Sequence, residues 1–175
     1  MFVRRVVGAF SLTAMLRACA DSPAQPMFTY QPPAAQAYAA PPDSQLTRVP
    51  LTASGGGTLM VKVGIAGVCC FPFLLDTGAS DVSVSPGLFL AMVEGRLVTY
   101  EDLIDVKQYR TASGQIVEGL RFRMPPMTVG NKTVHNVVGS VSKTTSDYGM
   151  LLGMSFLRKF PAWAIDNSTH HLLLG

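Results

Sequence analysis

The residues best suited to chemistry form one short run, Phe73-Leu74-Leu75-Asp76-Thr77-Gly78-Ala79-Ser80. A carboxylic acid directly after an apolar stretch is costly unless it is paired, hydrogen-bonded or functional. Gly78 allows a tight loop whose amides approach the carboxylate, and the Thr77 hydroxyl is available to brace it. An acid placed this way is a candidate general acid or base. The other reactive side chains are less organised. His135, His170 and His171 match no zinc-ligand spacing, which leaves no metal site to expect. No G-x-S-x-G elbow occurs, the nearest approach being Gly153-Met154-Ser155-Phe156. Gly55-Gly56-Gly57 lacks the lysine and hydroxyl of a phosphate loop and reads as a flexible lead into a strand.

The elements that must hold Asp76 read as strands. From Thr58 onward, short runs of Val, Ile, Leu, Phe and Thr are separated by glycine-centred turns, the pattern of an all-β domain. Residues 59–65 predict one strand, Ala66-Gly67 a turn, and residues 68–75 a nearly continuous apolar strand expected to be buried on both faces. Residues 81–85 predict a third strand, and Pro86 starts a short helix through Met92. Residues 106–111 and 115–124 flank the small-residue tip Ala112-Ser113-Gly114, which predicts a hairpin. Residues 127–129 and 133–141 predict another hairpin, around Gly130-Asn131. Residues 154–160 form the second helical candidate, stopped by Pro161, and residues 163–165 and 171–174 close the chain as strands. The neighbours Cys69 and Cys70 fall on one strand, where they are expected to be buried and unlinked.

At 175 residues with 48% hydrophobic and 14% charged side chains, the chain suits one domain with a core plus an appendage. Three of its fourteen basic residues, Arg4, Arg5 and Arg17, precede Asp21; the remaining eleven balance the eleven acids. That balance leaves no basic footprint for nucleic acid. Residues 1–5 are cationic and residues 6–16 uncharged, the proportions of an export signal and too short to span a bilayer alone. Ala18-Cys19-Ala20 offers a cleavage site, and Leu16-Arg17-Ala18-Cys19 resembles a bacterial lipobox that would lipidate Cys19, although Arg17 fits it poorly. A cleaved signal, a lipid anchor and a retained anchor all stay open for residues 1–20. Residues 21–50, with six prolines before Val49, read as a semi-rigid tether, and residues 51–175 as the folded domain. The expected setting is the bacterial cell envelope, facing the periplasm.

The loop at Asp76 resembles that of retropepsin-like aspartic proteases, whose D-[ST]-G-A motif follows two apolar residues. The resemblance covers roughly residues 51–175. A second matching element is Leu151-Leu152-Gly153 followed by a short helix, and a third is the hairpin between them, which corresponds to a flap. The wording Leu152-Gly153-Met154-Ser155-Phe156-Leu157 is similar to the bacterial membrane-associated branch. Met154 stands where viral relatives carry arginine, so that arginine's salt bridge is not carried over. The resemblance implies an all-β acid-protease barrel with one or two short helices, active as a homodimer and needing no cofactor. It implies catalytic roles for Asp76, Thr77 and Gly78. It also implies a substrate-binding set of Ala79, Ser80, Asp81, Ser113, Gly114, Gln115, Leu152 and Gly153, acting on a polypeptide.

Such enzymes need two carboxylates, and this chain carries one D-[ST]-G loop, so the second must be Asp76 of another copy across a two-fold axis. The C-terminal strand, residues 171–174, is expected to join the interface sheet. Two carboxylates ~3 Å apart at an effective dielectric near 20 repel by about 5.5 kcal/mol, so the pair holds one proton. The ionised member then activates water while the protonated one polarises the scissile carbonyl. A silent peptide-binding or dimerisation module of the same fold is the alternative.

Overall fold

A computed structural model describes residues 46–142 and 149–175 of the chain. The leader, most of the tether and the proposed lipidation site Cys19 lie outside the described residues. Most of what is described is strand, with two short α-helices. The strands are β1 (Thr47–Ala53), β2 (Leu59–Ile65), β3 (Val68–Leu75), β4 (Val82–Val84), β5 (Leu103–Arg110), β6 (Ile116–Arg123), β7 (Met127–Val129), β8 (Lys132–Val134), β9 (Val138–Val141), β10 (Leu151–Leu152), β11 (Trp163–Asp166) and β12 (His171–Leu174); the helices are α1 (Pro86–Glu94) and α2 (Met154–Leu157).

Period-two alternation builds the core. In β2, Val61, Val63 and Ile65 are buried while Lys62 is exposed; Val49 and Leu51 do the same in β1. Ala66 and Gly67 turn β2 into β3 with φ of 49° and 82°, the left-handed pair that a tight hairpin demands. Ser85 caps α1 by accepting a hydrogen bond from Leu88 N at 3.2 Å, with Pro86 in the first turn. Hydrogen bonds link the strands in the order β11-β12-β1-β2-β3-β10-β4-β9-β6-β5, with β7 joining β2 and β8 joining β7. Phe73, Phe122, Phe156, Met92 and Leu152 close the interior.

Five expectations are corrected. The first strand starts at Thr47, inside the segment that reads as tether, because Val49 and Leu51 complete the core and Pro50 does not prevent pairing to β12. The β3 strand is not buried on both faces: Val68 is 55% exposed, and Cys69, Cys70 and Pro72 are exposed too, and only at Leu74 and Leu75 does β10 pair its second edge. Cys69 and Cys70, on that uncovered end, are bonded to each other across a cis peptide rather than buried and unlinked. Residues 133–141 do not form one strand; the chain breaks at Asn136, with φ 55°, so that β8 follows β7 while β9 pairs β4 and β6. Finally, β12 is interior to the sheet. Both of its edges are paired, to β1 and β11, and Leu172 and Leu174 are fully buried, so this strand has no free edge to offer a second copy.

Candidate active site

Asp76 follows the last residue of β3, and a neighbouring strand fixes that position. The short β10 lies parallel to β3, with Leu151 opposite Leu74 and Leu152 opposite Leu75, and it reaches β4 on its other side. Asp76 N donates to Leu152 O at 3.2 Å, so the acid leaves the strand where β10 ends, in a turn held to Leu152. The chain then turns back, Ala79 N donating to Asp76 O at 3.3 Å. Within this turn Gly78 N donates to Asp76 Oδ1 at 2.8 Å, a charge-assisted bond that orients the carboxylate. Asp76 is half-buried and Oδ2 has no hydrogen-bond partner among the described residues. The arrangement presents one oxygen of a fixed carboxylate to whatever enters.

Gly153 secures the other side of the turn. A Cβ at this position would fall 2.7 Å from Ala79 O and closer still to Asp81 O, so only glycine lets α2 pack this tightly. The close approach allows Met154 N to reach Ala79 O at 2.8 Å and Ser155 N to reach Ser80 O at 2.9 Å. Ser155 adds a side-chain tie, accepting from Val82 N at 3.0 Å and donating to Val138 O at 2.7 Å. Sequence reasoning passed over Ser155 except as a failed nucleophile motif. Its role depends on two partners distant in the chain. The Thr77 hydroxyl, expected to brace the loop, is exposed and makes no hydrogen bond among the described residues; main-chain bonds do the bracing instead.

A groove of about 390 Å³ opens beside the acid, lined by Asp76, Thr77, Leu74, Leu75, Gly57, Thr58, Leu59 and Ile165. Gly57, the last residue of the glycine run read as a flexible lead, therefore lines this groove. Ile165, from β11, had no signal in the sequence.

The remaining predicted site residues sit in two places. Ser113, Gly114 and Gln115 form the tip of the β5–β6 hairpin, whose hydrogen bonds run within the tip: Thr111 N to Gln115 O at 2.8 Å, Gly114 N to Thr111 O at 2.9 Å, and the hydroxyls of Thr111 and Ser113 2.9 Å apart. Gly114 has φ 83°, which the turn requires. Ser80 is exposed and accepts from Lys107 Nζ at 3.4 Å. Asp81 is only 7% exposed. Its Oδ2 accepts from Tyr109 Oη at 2.7 Å and lies 3.2 Å from Arg121 Nε and 3.9 Å from Lys107 Nζ. Burial, and then the Asp81 carboxylate, push the Tyr109 phenol well above the ordinary tyrosine range.

A family model described as gag-polyprotein putative aspartyl protease matches residues 61–159, and the chain belongs to that family. Asp76, its loop, the hairpin and Gly153 all fall within that span. Among solved structures, a retropepsin-like aspartic protease from Rickettsia conorii shares the fold, with a TM-score of 0.50 and 21% identity over 74% of this chain and 90% of that one. No curated protein matches. The chain thus has the retropepsin-like fold and belongs to an aspartic protease family.

Proposed function

We propose that the protein is an aspartic endopeptidase whose catalytic pair consists of Asp76 from each of two copies of the chain. The observation that carries this reading is the carboxylate at the end of β3, oriented by Gly78 N at 2.8 Å and locked through Leu152, in a chain with a single D-T-G loop. One copy supplies half of the acid-base machinery. Across a two-fold axis the pair shares one proton: the ionised carboxylate takes a proton from water as it attacks the scissile carbonyl, and the protonated one donates a hydrogen bond to the carbonyl oxygen. The hairpin closes over a polypeptide and excludes water. The leader exports the chain and holds it at the bacterial envelope, with Cys19 as the lipid acceptor if the lipobox is used. Anchoring raises the local concentration of copies and favours pairing.

The test is cleavage of a peptide library by the full chain and by Asp76→Ala, at several protein concentrations. Cleavage that is lost in the variant and falls per chain on dilution is the expected result. Activity in a folded Asp76→Ala protein would sink the assignment, and a constant specific activity with a monomeric mass would sink the shared pair.

A further inference from the structure

The hairpin and the loop of Asp76 meet at one buried carboxylate. Along β5 and β6 the side chains alternate, and the face carrying Lys107, Tyr109 and Arg121 is the less exposed one. All three converge on Asp81, five residues beyond Asp76. Tyr109 reaches it because Gly119, diagonal to it on β6, has no side chain; a Cβ there would lie 2.9 Å from the Tyr109 ring. Lys107 lies 5.1 Å from the centre of the same ring, as a cation above its face. Arg121 is itself held from its other end, Nη1 standing 3.1 Å from Asp105 Oδ2. Asp81 in turn belongs to the segment that α2 grips through Ala79 and Ser80. The hairpin has few other ties to the body, its backbone pairing outside itself being the β6–β9 ladder from Leu120 to Arg123.

From this convergence we infer that Asp81, acting through Tyr109 and Lys107, is a positioning residue that sets the height of the hairpin above Asp76, rather than a group that binds substrate. This inference rests on the hairpin being the flap of the proposed protease. A substrate-binding carboxylate needs free oxygens at the surface, whereas this one is almost wholly buried, and its Oδ2 accepts from Tyr109 Oη with the Arg121 and Lys107 cations 3.2 Å and 3.9 Å away. Lifting the outer hairpin takes Tyr109 and Lys107 away from Asp81 while Arg121 stays in the β6–β9 ladder, so the buried carboxylate loses its hydrogen bond from Tyr109; the clamp thereby resists opening and returns the hairpin to one register.

The test uses the full chain and two conservative variants that act on the clamp differently. Tyr109→Phe removes one hydroxyl; Gly119→Ala keeps every polar group and pushes the ring aside. The primary readout is the backbone ¹⁵N order parameter, which needs no activity. In the native chain the amides of residues 106–118 are expected near 0.85, and in both variants they should fall below about 0.6, while those of α1 and β12 stay unchanged. A parallel loss of about 10-fold in kcat/KM is expected, with Tyr109 replaced by Phe costing more than any change in thermal stability explains. Should Gly119→Ala fail to fold, Asp81→Asn provides the second arm, since it keeps the acceptor and removes the charge. The inference is overturned by order parameters equal in native and variant hairpins, by a native hairpin already below 0.6, or by a fall spread evenly over the chain. A native protein that cleaves nothing removes the protease reading but leaves the order-parameter result as evidence for or against the clamp.

Discussion

The loop that carries Asp76 and the hairpin facing Asp81 are held by different means. Around the loop nearly every tie is main chain to main chain: Asp76 N to Leu152 O, Ala79 N to Asp76 O, Met154 N to Ala79 O, Ser155 N to Ser80 O. Those bonds survive most side-chain changes, and they depend on glycine where backbones come together. Among the described residues, the outer half of the hairpin is held to the body by side chains alone, through Tyr109 and Lys107, with Arg121 at its backbone-paired base beside the same carboxylate. A catalytic carboxylate must stay within a fraction of an ångström of its working position, whereas a cover must open and close. Main-chain locking suits the first and a removable clamp suits the second.

The largest expected effect breaks chemistry without touching either framework. Asp76→Asn keeps an oxygen to accept from Gly78 N, so the fold and melting temperature should hold while peptide cleavage falls by about 10³-fold or more. Next comes Gly153→Ala, aimed at the loop's framework. Its Cβ would meet the carbonyl oxygens of Ala79 and Asp81, so α2 has to back away and the loop bonds lengthen. Overpacking against backbone should cost on the order of 3 kcal/mol in denaturant unfolding, with activity lost in parallel. An unchanged midpoint would show that α2 does not lock the loop.

Much of this division was legible beforehand. Asp76-Thr77-Gly78, the hairpin tip at Ser113-Gly114 and Leu152-Gly153 are local patterns, and the structure puts each in the element expected of it. What was not legible depends on tertiary partners. The Asp81 clamp joins residues 28 and 40 positions apart, and its only local trace is a glycine, Gly119, in the middle of an otherwise side-chain-rich strand. The strand Thr47–Ala53 was hidden by the prolines before it and by Pro50 within it. The C-terminal strand reads as apolar in either case; composition does not say whether β1 and β11 of the same chain or another copy covers it, and here they do.

A third substitution probes the hairpin. Gly114 has φ 83°, which proline cannot adopt, and its N–H bonds Thr111 O at 2.9 Å. Gly114→Pro should therefore disorder the tip, lowering turnover by about 10-fold while costing only about 1 kcal/mol of stability, because the tip lies far from the core and opens locally at little expense. Equal losses of turnover and stability would mean that the hairpin is part of the framework, and the contrast with the loop would dissolve.

The smallest effect is expected at Asp166, outside both regions, where the protein is held by an exposed turn. The Ser168 hydroxyl donates to Asp166 Oδ1 at 2.6 Å and the Thr169 hydroxyl to Oδ2 at 2.6 Å; the amides of Thr169 and Ser168 and the Arg48 guanidinium add to these. The two hydroxyls, in that order, and then the amides hold this carboxyl well below the usual carboxylate range. A carboxyl depressed in the folded state binds protons less readily than in the unfolded chain, so folding gains stability wherever the group is ionised. That gain is complete above the ordinary carboxylate range of about 4 and drains away as pH falls below it toward the folded value. Solvent screens the site, so the gain is small. Asp166→Asn should accordingly lower the melting temperature slightly at pH 7, and the gap from the native chain should narrow as the buffer is taken from pH 4 toward pH 2. Cleavage at pH 7 should not change. A gap that widened on acidification would reverse the sign of the linkage, and a loss of cleavage would place the β11–β12 turn, next to Ile165 in the wall of the groove, among the parts that position Asp76.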